Sequence, residues 1–186
     1  MKQKVLFTLS LFLLAGFVQQ LFGQFNFNKY NNGLSPVLEK SSDLTKWDVT
    51  AAADAEVVFY LDTFRIWYTS AGVQPFSYDH PSIGYAWSLD GINWTKHDTL
   101  PVLTGTAGEW DSLAVETASV LIDTQAPADQ RFKMWYVGTT DAYLPMYYAI
   151  GYAYSSNGID WVKHATNPVL TADTSSISFP SVDFFG

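Results

Sequence analysis

The sequence has 186 residues, no cysteine, 10 Lys and Arg against 18 Asp and Glu, and a formal net charge of −8. That acidic balance argues against nucleic acid and anionic membrane as partners, and the absence of cysteine excludes disulfides and a lipid-anchored cysteine. Aromatic residues make up 17% and charged residues only 15%, which suits a β-rich core or a surface that stacks on flat ligands such as sugar rings.

The chain opens with Lys2 and Lys4, followed by the apolar run VLFTLSLFLLAGFV over 5–18, a break at Gln19-Gln20, and the small residue Gly23. This order predicts a secretory signal peptide over 1–23, and the run is shorter than the roughly 20 residues a membrane-spanning helix needs. The expected location is therefore secreted, periplasmic or cell-surface, with no membrane attachment after cleavage. Loss of Lys2 and Lys4 leaves the remainder more acidic still. Residues 24–35 are polar and Asn-rich and read as a lead-in loop, with Asn32-Gly33 as a turn.

From Pro36 onward the chain repeats itself. Ile83–Leu103 and Ile150–Leu170 share 14 of 21 positions without a gap, at an offset of 67 residues. Pro36-Val37-Leu38 precedes Trp47-Asp48 as Pro101-Val102-Leu103 precedes Trp110-Asp111, and the pattern starts again at Pro168-Val169-Leu170. A period of this length marks a supersecondary unit that stacks on its own copies. The units run over about 36–100, 101–167 and an incomplete 168–186.

Within a unit the pattern is all strand. A buried strand, A, is expected over Ala55–Leu61 and Ala118–Asp123, and an aromatic strand, B, over Phe64–Thr69 and Phe132–Gly138. Strand C covers Ile83–Ser88 and Ile150–Ser155, and strand D covers Asn93–His97 and Asp160–His164. Asp90-Gly91 and Asn157-Gly158 between C and D favour a tight hairpin turn. Ser181-Val182-Asp183-Phe184-Phe185-Gly186 reads as a third strand A. Four antiparallel strands at this period predict an all-β fold of propeller blades rather than a solenoid or tandem sandwich.

The succession K-M-W-Y-x-G, I-G-Y-A-x-S-x-x-G-I-x-W, N-P-V-L, W-D and S-V, from Pro36 to the end, resembles the five-bladed propeller glycoside hydrolases. These form the clan of family 43 arabinosidases and xylosidases and family 32 fructosidases. The resemblance implies a secreted enzyme that cleaves an oligo- or polysaccharide with a carboxylate pair. Two full units and the start of a third supply fewer than half of a five-bladed ring. The chain therefore reads as the N-terminal part of a longer product, inactive alone.

Up-and-down blade geometry sorts the polar residues. The start of strand A, the B–C loops and the D–A connections share one face of the disc, where a central pocket forms. The Asp90 motif, S-L-D-G-I-N-W, resembles a sialidase Asp-box one residue short. It falls on the opposite face, and its second copy has Asn157 for Asp90, so it reads as a structural turn. Asp48 and Asp111 recur with their Trp and also read as structural, as do His97 and His164. Aligning the units places Asp54 opposite Thr117, Ala53 opposite Glu116 and Glu56 opposite Ser119. Carboxylates that the repeat does not require are thus Asp54, Glu56 and Glu116.

Glycoside hydrolysis takes one carboxyl as acid and one as base or nucleophile. The resemblance implies Asp54 for the base or nucleophile, with Ala55 where the clan has Pro. It implies Glu116 for the acid or a transition-state stabiliser, with Ala118 where the clan has Pro. Their one-residue offset would point them to opposite faces of a regular strand, so the pair requires an irregular start to strand A. Glu56 reads as a rim charge. The B–C loops, Ala71–Ser82 and Thr139–Ala149, supply Phe76, Tyr78, Asp79 and His80, and Asp141, Tyr143, Tyr147 and Tyr148, as candidate sugar contacts. The pattern contains no metal-ligand cluster and no phosphate-binding loop, so no metal or cofactor is expected. Two other readings share these features: a non-catalytic glycan-binding propeller, and a surface propeller whose aromatics meet a protein.

Overall fold

A computed structural model describes residues 35–74, 80–97, 100–140 and 147–171. The signal peptide, most of the lead-in loop and the third strand A expected from the sequence lie outside the described residues. The account below concerns the unit from Val37 onward. Among the described residues there is no α-helix, only a 3-10 turn at Ala128–Gln130, and no helix long and apolar enough to cross a membrane.

Two sheets follow one another along the chain. The first is β1 (Ala53–Tyr60), β2 (Thr63–Ser70), β3 (Ser82–Ser88) and β4 (Thr95–Lys96), hydrogen-bonded in that order. The second is β5 (Ala114–Ile122), β6 (Phe132–Thr140), β7 (Tyr147–Ser155) and β8 (Trp161–Lys163), with β9 (Leu170–Thr171) added to β7. Every pairing is antiparallel. The fold is all-β and each sheet is a four-stranded blade. Pro-Val-Leu belongs to the end of a sheet: Leu103 bridges back to Ile83 as Leu170 pairs with Ile150.

Two local expectations are corrected. Tyr147 and Tyr148 belong to strand β7 rather than to a loop, paired with Thr140 and Thr139. The run Y-Y-A-I-G-Y-A-Y favours extended pairing throughout. The C–D connection is not a two-residue hairpin. The Asp90 carboxylate accepts from the Ile92 and Asn93 amides at 2.8 and 2.7 Å, and from the Asn93 side chain at 2.7 Å. This Asx turn holds a longer loop. In the second sheet Asn157 Oδ1 accepts from the Ile159 and Asp160 amides at 2.9 Å, while its amide donates to Asp160. Asp90 and Asn93 have exchanged identities with Asn157 and Asp160, and the turn survives because either side chain offers the acceptor. By contrast, β1 and β2 do join through a two-residue turn, Leu61-Asp62, both left-handed at φ 49° and 55°.

The sheets stack through one core. Trp67, Ile83, Tyr85 and Leu103 of the first interleave with Val115, Ala118, Val120, Phe132, Met134, Tyr136 and Ala153 of the second. The Trp67 indole N–H donates to the Gly158 carbonyl at 2.8 Å, so the largest buried side chain is also satisfied. Ahead of each sheet a Trp-Asp pair closes a clasp. Trp47 stacks on Tyr68 while Asp48 takes Lys96 at 2.5 Å. Trp110 stacks on Tyr136 while Asp111 takes Lys163 at 2.6 Å. The close approach needs a glycine: a Cβ on Gly84 would lie 2.5 Å from the Trp47 ring.

Candidate functional site

Both sheets carry the same irregularity at the start of the inner strand. Pairing runs from Ala53↔Thr69 to Glu56↔Trp67 in the first, and from Glu116↔Val137 to Ser119↔Trp135 in the second. Across that stretch the inner strand has one residue more than its neighbour, which makes a β-bulge. The bulged residues turn left-handed: φ is 48° at Asp54 and 53° at Thr117. Asp tolerates this conformation through local hydrogen bonding. Thr, branched at Cβ, does not, so Thr117 stores strain.

The register confirms the equivalences of Asp54 with Thr117 and of Ala53 with Glu116. The bulge also removes the strict alternation that would have separated the two carboxylates. Asp54 is exposed and Glu116 half-buried. Glu116 is held above the usual glutamate range, first because burial strips water from its carboxylate and second because the Asp54 charge stands nearby. The two groups are therefore electrostatic neighbours across the seam between the sheets. That seam is pinned on either side of Glu116. The Val115 amide donates to the Pro81 carbonyl at 2.9 Å, and the Thr117 amide donates to Thr69 Oγ1 at 3.0 Å. Thr69 and Pro81 are positioning residues that sequence reasoning missed; only the one-residue offset between the carboxylates hinted at the bulge.

Glu56 lies just past the bulge, half-buried, opposite Trp67. His80 is exposed, and its carbonyl accepts from Ser82 Oγ at 3.2 Å. Tyr148 is half-exposed beside a largely apolar cavity of about 280 Å³, and Tyr147 has its backbone in β7. Phe76, Tyr78, Asp79, Asp141 and Tyr143 lie outside the described residues.

The remaining acids have structural work. Asp111 is buried, and besides Lys163 it accepts from the Tyr136 hydroxyl at 3.2 Å and the Thr106 amide at 3.0 Å. Burial, and then the Asp111 charge, raise Tyr136 well above the usual phenol range. Asp90 is held well below the usual carboxylate range by the Asn93 and Ile92 amides. His97 and His164 pack against Tyr85 and Tyr152. Among the described residues no group of three His, Asp or Glu is placed to hold a metal.

No family model matches the sequence, and no curated protein matches it. Solved structures match its fold. A glycosyl hydrolase from Bacteroides ovatus is 18% identical with a TM-score of 0.59, covering 76% of this chain and 42% of that one. A structure from the GH130 family of mannoside phosphorylases, which contains glycoside hydrolases that target beta-1,2 mannosidic linkages in Candida mannan, is 18% identical with a TM-score of 0.58. It covers 77% of this chain and 42% of that one. Zg3597, a family 117 glycoside hydrolase of the marine bacterium Zobellia galactanivorans, is 18% identical with a TM-score of 0.52, covering 67% and 35%. The chain thus spans less than half the length of these structures. At such identity the likeness shows the fold alone, that of partial propeller blades.

Proposed function

We propose that this chain is the N-terminal part of a secreted glycoside hydrolase of the clan that joins family 43 and family 32, acting on an oligo- or polysaccharide. Asp54 is the base or nucleophile and Glu116 the acid or the transition-state stabiliser. The observation that carries the reading is the raised, half-buried Glu116 carboxyl beside Asp54 at the bulged seam. A carboxyl that keeps its proton to higher pH can protonate the departing glycosidic oxygen as the bond to the anomeric carbon breaks. Asp54 then attacks that carbon or takes a proton from the attacking water. Phe76, Tyr78, Asp79, His80, Asp141, Tyr143, Tyr147 and Tyr148 are the sugar contacts of this reading, with no metal or cofactor. Residues 1–23 direct export, to the periplasm, the cell surface or the medium.

The test uses the full-length protein on arabinan, xylan, fructan and mannan, with release of reducing ends as readout. Asp54→Asn and Glu116→Gln are each expected to lower kcat by about 10²–10⁴-fold with folding intact. Activated aryl glycosides separate the two roles for Glu116: an acid is dispensable with a good leaving group, a stabiliser is not. Turnover retained in Asp54→Asn would sink the assignment. A glycan-binding, non-catalytic propeller is the second reading. It is favoured by the left-handed φ at Asp54, which gives that aspartate a backbone reason to be there. Sugar binding without turnover, unchanged in Asp54→Asn, selects it.

A further inference from the structure

A cavity of about 390 Å³ opens between the outer strands of the two sheets, a volume in the range of small-ligand sites. His97, Leu100 and Pro101, which follow β4, form one wall. Asp160, Trp161 and Val162, which lead into and along β8, form the other. In the order β1-β2-β3-β4 the outer strand stands three strand spacings, about 14 Å, from the strand that carries Asp54. The cavity is therefore separate from the candidate carboxylate pair.

Comparing the two copies shows which of these residues the fold does not need. Asp90 uses its carboxylate inside its own turn, accepting from the Ile92 and Asn93 amides, the Asn93 side chain and Ser88 Oγ. The exchange of identities in the second sheet moves the carboxylate to Asp160. There it is exposed, accepts from Asn157 Nδ2 at 2.8 Å, and keeps acceptor capacity for a ligand. The turn needs an acceptor at 157 and no carboxylate at 160. Leu100 is the second departure. Its counterpart Asn167 accepts from the Tyr152 amide at 2.9 Å and donates to the Tyr152 carbonyl and the Tyr136 hydroxyl at 3.0 and 3.2 Å. Leucine makes no such stitch, and Leu100 is 52% exposed. The flanking backbone is the same in both copies. The His97 and His164 amides donate to the Tyr85 and Tyr152 carbonyls, and the Val102 and Val169 amides to those of Ile83 and Ile150.

The lining describes the ligand. Trp161 is half-buried, its indole N–H donates to the Gly158 carbonyl at 3.1 Å, and its ring meets Trp67 edge-on at 6.2 Å. The indole is thus fixed before any ligand arrives, which lowers the ordering cost of binding. Indole and leucine offer apolar surface to a ring with C–H faces, and a carboxylate accepts from hydroxyls. The Asp160 charge repels phosphates and carboxylates, and among the described residues no group of three His, Asp or Glu is placed to hold a metal. We propose that this cavity is a non-catalytic binding site for a neutral sugar unit, holding a polysaccharide chain at a distance from Asp54 and Glu116. The proposal rests on the reading that this protein meets glycans, and it makes the substrate a polymer rather than a short oligosaccharide.

Native gels cast with arabinan, xylan, fructan or mannan read this site in the full-length protein, because a bound polymer slows migration. Hydrolysis of aryl glycosides by the same samples reads the seam. Asp160→Ala removes the acceptor and Leu100→Trp fills the cavity; both side chains are exposed, and an unchanged Tm checks each fold. Each variant is expected to weaken the affinity for the retarding polymer about tenfold. Each is expected to keep kcat/KM on the aryl glycoside within about twofold of wild type. Retardation that both variants keep overturns the proposal, and so does retardation by none of the four polymers. Turnover of the aryl glycoside decides the hydrolase reading separately: retardation lost in both variants of a protein that hydrolyses nothing upholds the binding site and overturns the enzyme.

Discussion

Replacing Asp111 tests whether the Trp-Asp clasp holds the second sheet or merely decorates it. The carboxylate is 1% exposed, takes the Lys163 ammonium at 2.6 Å, and is the acceptor for Tyr136 and the Thr106 amide. Removing one partner of a buried, hydrogen-bonded pair typically costs about 3–5 kcal/mol. The lower end applies here, since the Lys163 side chain is 24% exposed and keeps Thr106 Oγ1 at 2.9 Å. Asp111→Ala is therefore expected to lose about 3 kcal/mol. With a urea dependence of about 2 kcal/mol per molar, that is a midpoint shift of about 1.5 M. Asp111→Asn keeps the acceptor for Thr106 and the shape, and falls between Ala and wild type. Urea unfolding followed by tryptophan fluorescence reads the shift, and Asp48→Ala probes the sister clasp in the first sheet. A midpoint shift below about 0.4 M would put the pair in the range of an exposed salt bridge and refute the reasoning.

Glu116 has a pH signature. Its folded pKa is raised, so ionising it opposes folding. Relative to Glu116→Gln, the wild type is expected to be most stable below the unfolded glutamate value and to lose that advantage as pH rises through the folded one. Titrating the Glu116 carboxyl by NMR in Asp54→Asn should show its pKa lower than in wild type but still raised, because burial contributes more to the shift than the Asp54 charge does. Thr117→Asn relieves a branched residue from φ 53° and is expected to add about 1 kcal/mol, seen as a higher Tm. Asn157→Asp copies the Asp90 turn and should change stability by less than about 0.5 kcal/mol. Asn157→Ala strips the acceptor from the Ile159 and Asp160 amides and should cost about 1–2 kcal/mol. Thermal unfolding of the two variants side by side distinguishes a turn built on the side-chain oxygen from one built on Gly158 alone.

The blade was legible because it is written twice. Ile83–Leu103 and Ile150–Leu170 keep one residue pattern at a constant spacing, and alternation with turn residues at fixed offsets is local information. The unmatched carboxylates were legible for the same reason, since a residue the repeat does not need stands out against its counterpart. Sequence could not show that Asp54 and Thr117 turn left-handed, because the bulge exists only relative to the register of β2 and β6. Nor could it show the pinning of Glu116 by Pro81 and Thr69, 35 and 47 residues earlier in the chain. It identified Asp48 and Asp111 as recurrent, but their partners Lys96 and Lys163 lie 48 and 52 residues further on. Propensity and spacing act within a strand and its turn. Which carboxyl loses its water, and that Trp67 is buried while Trp135 is not, are decided only when one sheet is laid on another.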